Sequence, residues 1–238
     1  MVFVTGDTHS DFSRFSSKKW RIGRWLTKND VVIICGDFGG IWATDETLKY
    51  WNKEQRKLEW LNNKPWTTLF VDGNHENFGR LNSFPEIEKF GAPMGKISNS
   101  IFHLKRGNIY TIDDQTFFCF GGATSTDKQF RINRLSWWEE EIANKTEEDR
   151  GIDNLMNHNM RVDYVITHTA PKFLIPILTG EQSDRYNDPT AAYLESIHNS
   201  IRYKRWFFGH FHDDQHIDQF TLQHIDHFTL IYEKIILL

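Results

Sequence analysis

The sequence predicts an α/β protein whose first half is a mostly parallel sheet and whose middle adds a second sheet with antiparallel strands. Three observations lead there. Short β-branched and aromatic runs alternate with helical stretches over the first half, which is the βαβ rhythm of a parallel sheet. Each run ends in a glycine or a polar cluster. In the middle the helical stretches drop out, and short strands follow one another around the acidic pair Asp113-Asp114. With 238 residues, 39% of them hydrophobic and 15% aromatic, the chain can bury a substantial core. No Pro- or Ser-rich linker divides it, so a single domain over residues 1–238 is expected.

Taken in order, Met1 to Thr5 reads as a first strand and Ser13 to Leu26 as a helix, with Phe15, Trp20, Ile22 and Trp25 as its apolar positions. Val31 to Cys35 is a continuous apolar run, as expected of a central strand covered on both faces. Thr44 is a candidate cap for a helix from Asp45 to Leu61, on which Trp51, Leu58 and Leu61 lie at helical spacing. Thr67 to Val71 is a third strand. Ile101 to Leu104, Asn108 to Ile112 and Thr116 to Phe120 are three short ones, the last two joined by Asp113-Asp114 as a hairpin turn. Helical signals return from Ser136 to about Asn159, broken at Gly151. Tyr164 to Thr167 and Trp206 to Phe208 are further buried strands, separated by a helix from Thr190 to Tyr203. Near the end, His216 to Leu222 is almost repeated by His224 to Leu230; this reads as two successive strands, and its histidines are assigned no metal role.

The formal charge of -4 and pI near 6.3 provide no positive field for DNA or an anionic membrane, so long nucleic acids and membranes are not expected partners. Cys35 and Cys119 both lie in apolar runs and read as small buried hydrophobes, which rules out a disulfide framework. The N-terminus lacks the basic region and long apolar stretch of a signal peptide, and no apolar run approaches ~18 residues. A cytoplasmic protein is the expectation. The oligomeric state is not legible.

Chemistry-bearing residues cluster where strands end: Gly6-Asp7-Thr8-His9, Gly36-Asp37, Gly73-Asn74-His75-Glu76, Thr167-His168 and Gly209-His210-Phe211-His212. In an open parallel sheet all carboxyl ends lie at one edge, so residues remote in sequence converge there. Asp7, His9, Asp37, Asn74, His168, His210 and His212 are ligand types that intermediate divalent transition metals accept. They suffice for two metals sharing one carboxylate. Residues two apart on an extended segment point the same way, so Asp7 with His9, and His210 with His212, can each reach one site. A glycine before each motif is expected to give the backbone a tight turn.

In content and order these blocks resemble the calcineurin-like metallophosphoesterases, whose signature runs Gly-Asp-x-His, Gly-Asp, Gly-Asn-His-Glu, a lone His, and Gly-His-x-His. The resemblance spans Asp7 to His212, nearly the whole chain. It implies an α/β/β/α sandwich of two mixed sheets flanked by helices. It implies further that Asp7, His9 and His212 hold one metal, that Asn74, His168 and His210 hold the other, and that Asp37 bridges them. His75 corresponds to the family's histidine near the leaving group, which is not a ligand. Two metals ~3.5–4 Å apart would hold the phosphoryl oxygens and acidify a shared water for in-line attack, with His75 as imidazolium protonating the departing alkoxide or stabilising its charge. The metals would be Mn, Fe, Ni or Zn.

Two departures narrow the expected activity. The protein Ser/Thr phosphatase branch continues Gly-Asp toward Asp-Arg-Gly and places Arg before Gly-Asn-His-Glu, whereas this chain has Phe38-Gly39-Gly40 and Asp72. Two Arg clamps for a phosphomonoester dianion are thus missing from their usual positions. Ser10 also stands where glycine is usual. A hydrolase acting on a small soluble phosphodiester or nucleotide is therefore expected, with a protein Ser/Thr phosphatase or dinucleoside polyphosphate hydrolase as the alternative. A metal-binding scaffold without catalysis is a reading of another class, disfavoured by the intact ligand positions and His75. Asp11, Asp72 and Glu76 border the ligands and are candidates to orient histidines. The loop from Gly121 to Lys128, followed by Arg131 and Arg134, is a candidate for bringing backbone and cationic groups to a phosphate, which makes Lys128, Arg131 and Arg134 candidate substrate residues.

Overall fold

Val2-Phe3-Val4-Thr5 and Val31-Val32-Ile33-Ile34 show no polar alternation because both faces of the strands they form are covered. In the computed structural model, which describes residues 1–43, 49–180, 187–220 and 225–238, they are β1 (Val2–Thr5) and β2 (Val31–Ile34), paired in parallel. α1 (Lys49–Asn62) leads to β3 (Thr67–Phe70), parallel to β2. Beyond the one-turn α2 (Phe78–Leu81), β4 (Glu86–Lys89) and β5 (Ala92–Lys96) form a hairpin through Phe90 and Gly91. β6 (Ile101–Leu104) lies between β5 and β3, antiparallel to the first and parallel to the second.

The second sheet begins with β7 (Asn108–Ile112) and β8 (Gln115–Phe120), joined at Asp113 and Asp114, whose φ values of 53° and 59° are those of a tight hairpin turn. α3 (Lys145–Asn157) precedes β9 (Tyr164–Thr167); α4 (Ile175–Thr179) and α5 (Pro189–His198) precede β10 (Arg205–Phe208). β11 (Gln215–Phe220) and β12 (Ile225–Leu230) are antiparallel, and β13 (Ile235–Leu237) returns to pair with β1. The sheet orders are β13-β1-β2-β3-β6-β5-β4 and β11-β12-β10-β9-β8-β7, and both sheets are mixed. The alternation of side chains sorts the core into three layers. Val4, Ile33, Leu69, Phe117, Ile166 and Phe207 meet between the sheets. Phe3, Val32 and Phe70 face outward onto Leu58 and Leu61 of α1. On the far side, Phe118, Val165 and Trp206 pack on Leu155 of α3 and Leu194 of α5. This is the expected helix–sheet–sheet–helix stack.

Several expectations are corrected. The helix over Ser13 to Leu26 is two 3₁₀ turns, Ser13–Phe15 and Ile22–Trp25; Phe15 and Trp20 are buried while Ile22 and Trp25 are exposed, so the apolar residues never shared one helical face. Ile101–Leu104 belongs to the first sheet, and the second is not simply antiparallel, since β8, β9, β10 and β12 run parallel. Gly151 does not break α3. It sits buried inside the helix, where an added Cβ would lie 2.3 Å from the Tyr193 hydroxyl. That helix starts at the Asn144–Glu147 capping box rather than near Ser136, and α5 ends at His198, short of Tyr203. The Thr44 cap and the helix start at Asp45 lie outside the described residues. Cys35 and Cys119 are free and buried. No helix among the described residues is long and apolar enough to cross a membrane.

Candidate metal centre

β1, β2, β3, β9 and β10 end at one edge of the stack, and the five motifs follow them directly. Asp7, Asp37, Asn74 and His168 are buried, while His212 stays exposed at the rim. His212 Nε2 lies 3.2 Å from Asp7 Oδ2 and 3.0 Å from His9 Nε2. His9 Nε2 is 3.6 Å from Asp37 Oδ2. Asp7, His9, Asp37 and His212 form one group in which every ligand atom lies within 4.8 Å of the others. On the opposite side, His168 Nε2 is 3.5 Å from Asp37 Oδ1 and 3.0 Å from Asn74 Oδ1, and the His168 and His210 rings stand 4.9 Å apart. The two oxygens of Asp37 therefore face different halves of the cluster.

Acceptors face acceptors here. His168 Nδ1 donates to the Cys35 carbonyl at 2.9 Å, which leaves the Nε2 lone pair aimed at two oxygens. Asn74 has its amide nitrogen on Ser125 Oγ at 3.0 Å, so Oδ1 is the atom it turns to the site. A proton on His168 Nε2 or a bound cation each reconciles such a set, and imidazole with carboxylate and amide oxygen is the donor chemistry of a divalent transition metal. The field agrees. Burial would lower the His168 pKa, but Asp37 and Asp7 raise it, and the Asp37 carboxyl is held down against burial by His168, His75 and His9. His210, next to His168, is pushed down to about 3 by burial first and by that neighbour second.

The motif glycines serve close approach more than turning. A Cβ at Gly73 would lie 2.0 Å from Asp37 Oδ1, and one at Gly209 2.0 Å from Asp7 Oδ1. Gly36 does both, with φ of 93° and His168 Nδ1 2.1 Å from where its Cβ would be. The turning falls instead to His9, Asp37, His210 and His212, with φ of 42°, 43°, 68° and 52°, the left-handed strain typical of functional positions. Ser10, in the place where glycine is usual, also has a positive φ of 64°. Lys57 donates to its carbonyl at 2.6 Å.

None of the three expected orienting carboxylates holds a ligand histidine. Glu76, its carboxyl raised well above the ordinary range by burial and then by Asp37 and Asp72, accepts from the Phe38 and Gly39 amides and so fixes the turn after Asp37. Asp72 pairs with Arg106 and His103, and Asp11 accepts from the Ser13 amide. Sequence reasoning missed Glu141, fully buried, which holds Ser125 at 2.7 Å and through it Asn74. It also missed Arg14, which donates to the Asp7, Gly6 and Tyr232 carbonyls. Neither carries a local signal, because each lies outside the motifs it supports.

A cleft of about 500 Å³ opens over Asp37, Asn74, His75, His210 and His212, with Asp127 on its wall. His75 donates its backbone amide to Asp37 Oδ1 at 2.7 Å, and its ring stands 5.4 Å from that of His9. The Arg131 guanidinium lies 3.1 and 3.2 Å from the two His75 ring nitrogens and is anchored by Asp127 at 2.7 Å. Burial lowers the His75 pKa; Arg131 and His9 add to the effect and Asp37 opposes it. Lys128 and Arg134 are placed elsewhere. The Lys128 ammonium sits 3.9 Å above the Trp137 ring, and Arg134 is exposed with its amide on the Trp137 carbonyl.

Compared with known proteins, residues 1–214 match the family model of the calcineurin-like phosphoesterases. No curated protein matches the chain.

Proposed function

The chain belongs to the calcineurin-like phosphoesterases, phosphate-ester hydrolases that depend on metal, and from that premise we propose that it hydrolyses a small soluble phosphodiester or nucleotide at a dinuclear centre. Asp7, His9 and His212 would hold one ion, Asn74, His168 and His210 the other, and Asp37 both. The observation that carries this reading is the split of Asp37, whose Oδ2 faces His9 and whose Oδ1 faces His168. When bound, such a pair supplies positive charge to the phosphoryl oxygens and acidifies a water. Mn, Fe, Ni and Zn all suit the donor set.

The remaining chemistry belongs to this chain's side chains. His75 is kept neutral near neutral pH by burial and Arg131, so it serves as an N–H donor to the departing oxygen rather than as a standing imidazolium. Arg131, beside it and fixed by Asp127, is the substrate-binding cation. One guanidinium suits the single negative charge of a phosphodiester better than the dianion of a monoester, and Asp72 occupies the place of a monoester clamp while pairing inward with Arg106.

The test is Asp37→Asn. Metal content by elemental analysis and turnover of bis-p-nitrophenyl phosphate should fall together, and in the unaltered protein this diester should be cleaved faster than p-nitrophenyl phosphate. Full occupancy by two ions with unchanged turnover in the variant would remove the bridging role.

A further inference from the structure

We propose that the outer face of the β11–β12 hairpin is a separate transition-metal site formed by His216, Asp218 and His227. In the antiparallel register His216 stands opposite Thr229, and Asp218 opposite His227. Alternation puts these four on one face, while Ile217 and the fully buried Phe228 point to the core behind α5. Both imidazoles aim at one oxygen: Asp218 Oδ1 lies 3.1 Å from His216 Nε2 and 2.7 Å from His227 Nδ1. One ligand atom from each of the three residues lies within 4.8 Å of the others. Neighbouring ligands around an ion at ~2.0–2.2 Å stand about 3–3.5 Å apart, so small side-chain adjustments close the site.

The other His216 nitrogen, Nδ1, lies 3.1 Å from Thr229 Oγ1, the kind of outer contact that fixes a ligating imidazole. The side chains of His216, Asp218 and His227 are 47%, 41% and 39% exposed. A histidine–carboxylate cluster in such an environment adds little to stability as a salt bridge. What it offers is two nitrogens and an oxygen with solvent at the remaining coordination positions, a set suited to Zn²⁺, Ni²⁺ or Cu²⁺ over Mg²⁺ or Ca²⁺. Asp214 is not a fourth ligand, since its carboxylate accepts from the Tyr232, Glu233 and Lys234 amides. A bound ion would tie the edge strand β11 to β12.

The experiment is Zn²⁺ titration of the full chain by calorimetry, with ¹⁵N spectra of the histidine rings, in the unaltered protein and in Asp37→Asn. One ion should bind that shifts the His216 and His227 ring signals in both proteins, so the result stands whether or not the dinuclear centre forms. His216→Gln and His227→Gln should each weaken this binding by more than about tenfold and Thr229→Val by about tenfold, with diester turnover retained. Ring signals of His216 and His227 that ignore Zn²⁺, or binding that survives both glutamine variants, would overturn the site and leave a hydrogen-bonded cluster.

Discussion

Replacing Arg106 with Met should cost this protein a large part of its stability. Arg106 and Asp72 have side chains only 4% and 2% exposed, and the guanidinium reaches Asp72 Oδ2 with Nε at 2.9 Å and Nη2 at 2.6 Å. It also donates to Glu147 Oε2 at 3.0 Å and to the Glu140 carbonyl at 2.8 Å. Without it Asp72 retains His103 Nε2 at 2.9 Å as its side-chain partner. Removing one member of a buried pair costs about 3–5 kcal/mol, against a total of about 5–15 for a typical domain.

Burial alone would raise the Asp72 carboxyl, but Arg106 and His103 hold it well below its ordinary 3.8. Its pairing therefore stabilises the fold above that pH and is lost only as pH falls through the lowered value. In Arg106→Met the carboxyl protonates at higher pH, so the deficit should shrink between pH 7 and pH 4. Urea unfolding followed by the fluorescence of the nine tryptophans measures this. Asp72→Asn/Arg106→Met should recover part of the loss at neutral pH by removing the stranded charge. A single-variant loss below about 1 kcal/mol, or a double variant no better than the single at pH 7, would refute the reasoning.

His75→Ala should retain metal and slow substrates with poor alkoxide leaving groups by about 10²–10⁴-fold, while p-nitrophenolate esters lose far less; equal losses on both would show that His75 does not serve the leaving group. Asp163 accepts from the Thr116 amide and hydroxyl and pairs with Lys204, which together lower its pKa against burial. Asp163→Asn should therefore cost about 1–2 kcal/mol at pH 7, a difference that fades as pH falls from 3.8 through the lowered value, and an equal deficit at pH 3 would mean that charge is not its source.

What the sequence disclosed depended on how local the signal was. β2, β3 and β9 were legible because a strand covered on both faces needs an unbroken apolar run. The β4–β5 hairpin was not, since Glu86-Ile87-Glu88-Lys89 is a half-exposed edge with little apolar content. The span from Ser13 to Leu26 misled because Phe15 and Trp20 fill the core from 3₁₀ turns and irregular chain, for which hydrophobic spacing has no template. At the site, the convergence of Asp7, His9, Asp37 and His212 was readable from strand ends alone. The supports were not. Glu141 sits in the run Glu139-Glu140-Glu141, and nothing in the sequence says that only the last of these turns inward to Ser125. Lys128 and Arg134 looked like Arg131 in sequence, and only the fold shows which of the three reaches His75.

The glycines explain why the five motifs act as one unit. Gly36 leaves room for His168, Gly209 for Asp7, and Gly73 for Asp37, so each belongs to one motif and accommodates the ligand of another. A methyl group at any of the three would displace a side chain supplied from a different strand, not its own loop. The left-handed backbone at His9, Asp37, His210 and His212 is held by that same mutual packing, together with bonds such as His9 N to the Asp37 carbonyl at 2.8 Å and His210 N to Asp7 Oδ1 at 3.1 Å. The candidate ligands are therefore held against one another by contacts between strands of both sheets. Mutual packing of this kind is what fixes a set of side chains to one geometry.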